Sequence, residues 1–356
     1  MRSAGHLALI LALGLPAVGQ GGTAPKSGLP EDPQSVFAAA AAFYDLGNPS
    51  LKPWHLKATY QLFDSKGKPG EQGTYEYWWA SPKVDRSSWS RPAATHTEWH
   101  TANGERAYLA TGESLDFLEY KLPWALLSPL PQATDLDPAR VRFQMEKQKL
   151  FAGGEELACI MAVPVMPLYP RETEEAPFGM FPTHCFDPNR PVVRAVRVLG
   201  TVTLGLNDIE QVQGRFVARK IDLYDGKRQI LSATVDTIDE ISPSDPALTP
   251  AKEAKVTKLG KVRISESIAL GMLVKKVAPL YPRDAEGART SGTVSLRVNI
   301  GTDGAIRDMH ILQAPSPTLA SSAVFAVSHW KYRPYSINGE PVEMETTVNL
   351  DFAMSR

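Results

Sequence analysis

The chain has 356 residues, of which 43% are hydrophobic and 22% charged, and its formal net charge is -1. That is ordinary globular composition with enough residues for two cores, and it lacks the basic field that a nucleic acid or an anionic membrane surface would require. A nucleic-acid partner is therefore not expected.

The first residues combine Arg2, an apolar run over 7–18 and the small residues Ala17 and Gly19 before Gln20. This is the pattern of a secretory signal over 1–19, cleaved before Gln20. The run is shorter than the ~20 residues of a spanning helix and is broken by Pro16, which argues against an uncleaved anchor. No later stretch is apolar enough to span a membrane.

The mature chain is expected to open on a helix over 32–46, with Val36, Phe37, Ala40 and Tyr44 at helical spacing and a stop at Gly47-Asn48-Pro49. From Trp54 the period changes to two: Leu56, Ala58, Tyr60 and Leu62 alternate with polar residues, then a turn over 64–67 leads to a return strand carrying Tyr75, Tyr77 and Trp79. Further strands are expected over 84–90, 95–101 and 106–110, the last two joined at Asn103-Gly104, a strong hairpin signal. A second helix over 114–127 ends at a proline-rich patch over 129–138. Strands resume over 141–150, 157–163, 192–199, 202–206, 216–223 and 229–238, the final pair turning at Asp225-Gly226. Roughly ten strands of this kind predict one large antiparallel sheet or half-barrel with one or two helices.

An oxidising compartment and an even count make Cys159 and Cys185 one expected disulfide; free buried thiols, or a metal site using His184, are the rival readings. His96 and His100 flank Glu98 at i and i+4, but without the zinc-protease order, and in a strand they read as solvated side chains. No phosphate-binding glycine loop or nucleophile elbow is present, and no carboxylate pair stands out. Neither catalysis nor a cofactor or metal is expected.

Residues 242–261 gather Pro243, Pro246 and Pro250 with Lys252, Glu253, Lys255 and Lys258 and lose apolar periodicity. They are expected to form an exposed linker between a domain over 20–241 and a second over 262–356. Residues 167–172 nearly repeat 279–284, but the match stops there.

The second domain starts with a lead-in over 263–276 and an extended segment fixed by Pro279 and Pro282. Val294, Leu296, Val298 and Ile300 mark a strand, the turn over 301–304 follows, and 306–312 returns antiparallel. Ser316 is an N-cap and Pro317 a first helical residue, with Leu319, Ala323, Val327 and Trp330 on one stripe. After Asn338-Gly339 comes a closing strand in which Val342, Met344, Thr346, Val348, Leu350 and Phe352 alternate with Glu343, Glu345, Thr347, Asn349 and Asp351. The fold class is α+β.

Two resemblances attach to these motifs. Pro279-x-Tyr281-Pro282, Ala285, Gly292-Thr293-Val294, Asp303-Gly304, Trp330-x-x-Arg333-Pro334, Asn338-Gly339-x-Pro341-Val342 and the closing strand resemble the TonB C-terminal domain over the last quarter of the chain. The resemblance implies a three-stranded antiparallel sheet with one helix in the order ββαβ. It also implies a tendency to homodimerise, and capture of an extended peptide of an outer-membrane receptor or envelope protein by strand addition. It points to the Tyr281-Pro282 neighbourhood and to Val342, Met344, Thr346, Val348 and Leu350 as partner contacts. Packing of Tyr281, Trp330, Tyr332 and Pro334 into the core is the plainer reading of the aromatics. The family's energy-coupling members carry a membrane anchor and a long spacer where this chain has a cleavable signal and a folded domain, so a periplasmic docking module is expected rather than an energy transducer.

Over 35–241 the order of helix, long meander and inserted helix, together with its aromatic content, resembles the LolA-like lipoprotein-carrier fold. That resemblance implies a half-barrel around an apolar cavity able to hold a lipid. Trp54, Tyr60, Tyr75, Tyr77, Trp79, Trp89 and Trp99 could line such a cavity or simply fill a core.

Overall fold

The computed structural model describes residues 28–131, 136–139, 141–150, 154–164, 178–179, 181–199, 202–257 and 260–354. The expected signal and the 167–172 near-repeat lie outside them.

Helix α1 (Pro33–Tyr44) starts where the Asp32 carboxylate accepts from the Ser35 amide at 2.8 Å and Pro33 needs no amide partner. Its stripe of Val36, Phe37, Ala40 and Tyr44 is buried, as its spacing predicts. The meander follows as β1 (Trp54–Phe63), β2 (Pro69–Ser81), β3 (Val84–Arg91), β4 (Ala94–His100) and β5 (Arg106–Gly112). Helix α2 (Phe117–Leu127) then crosses to β6 (Val141–Gln148) at the far side, and β7 (Leu157–Pro164), β8 (Thr183–Phe186), β9 (Val193–Leu199), β10 (Val202–Val212), β11 (Arg215–Asp225) and β12 (Arg228–Glu240) run back. Strand β12 pairs with β1, so two meanders join at the middle of one antiparallel sheet. Both helices contribute to one core with Leu56, Ala58, Tyr60, Ile221 and Leu231.

Within the two meanders the sequence pattern misses β8, whose four residues are all buried and so show no alternation. It carries Cys185 opposite Cys159 of β7, and the two are disulfide-bonded. With a separation of 26 residues, the bridge is expected to stabilise the fold by about 3.5 kcal/mol through the unfolded chain. Replacing both cysteines by alanine should lower the unfolding free energy in urea by about that much; a loss below ~1 kcal/mol would contradict this account.

The segment expected to be an exposed linker is instead docked. Residues β13 (Lys255–Thr257) add to β5 as the outermost strand of the large sheet, Leu248 and Thr257 are buried, and the Trp99 indole donates to the Ala247 carbonyl at 3.0 Å. The physical reason lies in β5, whose outer edge would otherwise leave its amides and carbonyls unpaired. Its prolines do keep the path irregular, but the side chains between them anchor it.

The C-terminal region begins with β14 (Val262–Arg263), α3 (Glu266–Gly271) and β15 (Leu273–Lys275), followed by α4 (Arg283–Gly287). Then come β16 (Gly292–Ile300), β17 (Ile306–Gln313), α5 (Pro317–Ser328), β18 (Lys331–Tyr332), β19 (Tyr335–Ile337), β20 (Glu340–Val342) and β21 (Met344–Phe352). The sheet order is β14-β21-β16-β17, with β14 parallel to β21 and the other pairs antiparallel. Asn338 and Gly339 both take positive φ at the tight turn between β19 and β20, as an Asn-Gly pair there requires. The Ser316 hydroxyl accepts from the Leu319 amide at 3.2 Å to start α5, whose Leu319, Ala320, Ala323 and Val327 are fully buried against the sheet. Met161, Val163 and Phe181 of the first region join this second core, so the two regions share a hydrophobic contact as well as a docked connection.

Candidate functional site

The C-terminal sheet has two long outer strands, and what lies beside each decides what it can accept. The antiparallel register pairs Met344 with Ile300 and Phe352 with Gly292, so β21 is bonded to β16 along its whole length. Its other side is bonded at one end only. The Val262 amide donates to the Glu343 carbonyl at 2.9 Å and the Ile264 amide to the Glu345 carbonyl at 2.9 Å. Because backbone polarity alternates along a strand, odd-numbered residues of β21 direct their amides and carbonyls outward, and even-numbered ones direct theirs to β16. Beyond β14 the outward groups belong to Thr347, Asn349 and Asp351. The Glu266 carboxylate accepts from the Asn349 amide at 3.0 Å and from its side-chain amide at 2.8 Å.

This register places the expected contact residues. Met344, Thr346, Val348 and Leu350 have buried side chains in the second core, and their backbone groups belong to the β16 ladder. Val342 is buried in the small β19-β20 pair. Tyr281 packs its ring edge-on to Phe352 with centroids 5.8 Å apart and donates its hydroxyl to the Thr290 carbonyl at 2.5 Å. Pro282 is half-buried, and its carbonyl accepts from Glu286 at the start of α4. The outward groups of the odd positions were legible from alternation only once the neighbour of β21 was known.

The charge at this edge is acidic and matched in cis. Arg263 Nε lies 2.9 Å from Glu345 Oε1, and Lys261 Nζ lies 3.4 Å from Oε2. Partial burial raises the Glu345 carboxyl's pKa, but these two cations outweigh it and hold the group below the usual range.

The opposite edge, β17, faces the first region. Arg307 lies over the Tyr120 ring at 3.6 Å, 3.3 Å from Glu98 and 3.6 Å from Asp303. Lys121 of α2 pairs with Asp308, and Arg106 of β5 pairs with Glu343 at 2.9 Å. The His96-Glu98 motif, expected on a solvated strand, is part of this junction: His96 is buried and its Nε2 lies 2.6 Å from Glu98. Burial would raise the Glu98 carboxyl, yet Arg307 and His96 hold it well below the ordinary range. His100, at the end of the same motif, contacts Asp85 at 3.0 Å, a hydrogen bond that raises the imidazole's pKa.

Most aromatics of the first region are core, Trp54 and Trp79 included, and some of them also line a cavity. Tyr60, Tyr75 and Trp89 are buried in its core, and Trp99 is covered by the docked connection. Trp54, Tyr77 and Trp79 line a cavity of about 350 Å³ with Tyr44, Leu127 and Leu130. Asp45 and Ser128 are among its polar walls.

A short open sheet covered by one helix, with an outer strand paired on one side only, belongs to the class of small α+β modules with an accessible edge. Residues 277–354 match the family model described as Gram-negative bacterial TonB protein C-terminal, the segment in which the sequence motifs fall. No curated protein matches the chain. Among solved structures, the chain is similar to the solution structure of the Pseudomonas aeruginosa TonB C-terminal domain, with 28% identity over 24% of this chain and 86% of that one, at a TM-score of 0.21. It is also similar to a DUF1329 family protein from Desulfovibrio piger, with 10% identity, 61% and 98% of the two chains covered, and a TM-score of 0.37. A LolA superfamily protein from Nitrosomonas europaea is similar over 61% of this chain and 97% of that one, with 8% identity and a TM-score of 0.35.

Proposed function

We propose that this protein is an exported adaptor of the cell envelope, acting by binding rather than by catalysis. Its TonB-like C-terminal module captures an extended segment of an outer-membrane receptor or envelope transport protein by strand addition on β21. The observation that carries this reading is the one-sided ladder of β21: a nine-residue strand bonded throughout to β16 but to only two residues of β14 on its outer side. Outward amides and carbonyls beyond β14, of which the Asn349 amide is held by the Glu266 carboxylate, are a template for an added strand, whose main-chain bonds supply affinity. The apolar run near the start of the sequence and the TonB-like motifs both favour a periplasmic setting.

The register selects the test. Proline at Thr347 removes an outward amide while leaving the β16 ladder intact, which an edge strand tolerates. With a photo-crosslinking side chain at Asn349, the native chain is expected to label a specific outer-membrane or envelope transport protein. Thr347→Pro should reduce that labelling on the order of tenfold, as loss of one or two backbone bonds implies. Labelling unaffected by proline in a folded variant would rule out strand addition here.

A second reading rests on the cavity beside Trp54, Tyr77 and Trp79, whose volume of about 350 Å³ is at the low end of ligand pockets. In that reading the first region carries a lipid and the C-terminal module docks the carrier. Saturable binding of a fluorescent lipid analogue, lost in Trp54→Asp, would favour it.

A further inference from the structure

The edge that strand addition would use already holds a strand from the same chain. Residues 261–266 pass along the outer side of β21 in parallel: Val262 and Ile264 supply the two backbone bonds, Lys261 and Arg263 flank Glu345, and Glu266 takes the Asn349 amide beyond them. They thereby meet backbone positions from Glu343 to Asn349. What holds them is modest. The ladder is two residues long, and the Arg263 side chain is 73% exposed, so its ion pair contributes little in water. Only Ile264 is buried, and it is followed at once by the Ser265 cap of α3.

The segment is also tethered on both sides. Strand β13 fixes it to the large sheet four residues upstream, and α3 fixes it to the C-terminal module downstream. A tethered strand acts at an effective concentration on the order of millimolar, so it competes with a free peptide even with weak intrinsic affinity. Its chemistry describes what the edge accepts: an extended backbone running parallel to β21, with cationic side chains against Glu345.

We propose that residues 261–266 are the resident occupant of the strand-addition edge, and that β21 accepts in their place an extended basic peptide entering parallel to it with a cation against Glu345. This rests on the strand-addition reading above. It adds a partner class, basic and parallel, and a threshold: the partner must displace a cis strand before its own ladder forms.

The experiment uses the full chain and a fluorescent peptide of sequence Gly-Lys-Val-Arg-Ile-Ser-Glu-Ser, copied from residues 260–267. An unlatched chain carries Lys261→Glu, Val262→Pro and Arg263→Glu, which remove one backbone donor and set two carboxylates against Glu345. Should it fail to fold by near-ultraviolet circular dichroism, Lys261→Glu with Arg263→Glu alone replaces it. The unlatched chain is expected to bind the peptide at least about tenfold more tightly than the native chain, by anisotropy titration. Adding Glu345→Lys to the unlatched chain should return affinity by about the same factor, and a peptide with glutamate at both cationic positions should recover it. Equal binding by native and unlatched chains would overturn the resident-strand inference while leaving strand addition intact. Binding by neither would overturn strand addition and the inference with it. Indifference to Glu345→Lys would overturn the basic-partner assignment.

Discussion

Arg307→Ala is expected to lower the unfolding free energy by about 3–5 kcal/mol near neutral pH, the range for removing one partner of a buried charge pair. The side chain of Arg307 is only 14% exposed, and it serves Glu98, Asp303 and the Tyr120 ring together. Its loss leaves two carboxylates near each other without their shared cation. The pH dependence has a definite sign. The folded Glu98 carboxyl is held below the ordinary carboxylate pKa, so its stabilising contribution is present above about pH 4 and is lost as pH falls through the folded value. Without Arg307 much of that contribution is gone, and the gap between native and variant should narrow as pH drops from 7 to 3. Urea unfolding at both pH values measures it. A double-mutant cycle with Glu98→Gln separates the pairwise part from lost packing. A cost below ~1 kcal/mol at pH 7 would mean that the junction is held by its apolar contacts instead.

This junction bears on function because it seals one edge of the small sheet. Strand β17 would otherwise be an outer strand equivalent to β21, open to pairing. Helix α2 lies alongside it, with Lys121 on Asp308 and Tyr120 against Arg307. The first region thus covers the β17 side of the sheet and leaves the outer side of β21 to β14 and Glu266. Loosening the junction by Arg307→Ala should therefore broaden the pairing of the module as well as destabilise it, a physical link between the two regions that a flexible connection could not supply.

The parts of this architecture written in local pattern were legible in the sequence. Alternation marked β1, β2, β16 and β21, which have one buried face, the Asn103-Gly104 turn marked the β4-β5 hairpin, and capping residues marked α1 and α5. The family motifs over the last quarter fell where the family model matches. Four things were not legible. Strand β8 has no exposed face and so no period. The docking of 242–257 depends on an unpaired edge of β5, which is a tertiary fact. For the same reason alternation could identify Met344, Thr346, Val348 and Leu350 as one set, but could not reveal whether that set or its neighbours Thr347 and Asn349 faced the open edge. His96 and Glu98 read as solvated for want of any sign that Arg307, more than two hundred residues later, would cover them.

Arg91→Ala is expected to be comparably damaging, about 3–5 kcal/mol at pH 7, with a deficit that also shrinks on acidification but for a different reason. Glu119 of α2 is completely buried, and its carboxylate takes the Asp116 amide at 2.7 Å and the Tyr60 hydroxyl, with Arg91 Nε 3.3 Å away. Its carbonyl accepts from the Trp89 indole at 3.0 Å, so helix and sheet are joined at this residue. Burial raises the Glu119 carboxyl above the ordinary range despite these partners. A raised carboxyl favours the protonated form in the folded state, so stability falls as pH rises through the unfolded and then the folded pKa, and is level above. Removing Arg91 takes away an offsetting cation, raises that folded value further and deepens the fall. Arg91 itself also holds Glu71 at 2.7 Å, so part of its loss is independent of Glu119. The variant should recover much of its deficit as pH falls below the ordinary carboxylate range, where Glu119 is protonated in the folded and unfolded states alike, whereas the Arg307 deficit shrinks there through loss of native stability. Glu119→Gln separates the cases: its one carbonyl oxygen can still take the Asp116 amide while its NH2 donates to the Tyr60 oxygen, and with the titrating carboxyl gone the Glu119 part of the pH dependence should disappear. Equal costs for Arg91→Ala at pH 4 and pH 7 would show that its role is packing and its bond to Glu71, and that Glu119 is neutral throughout.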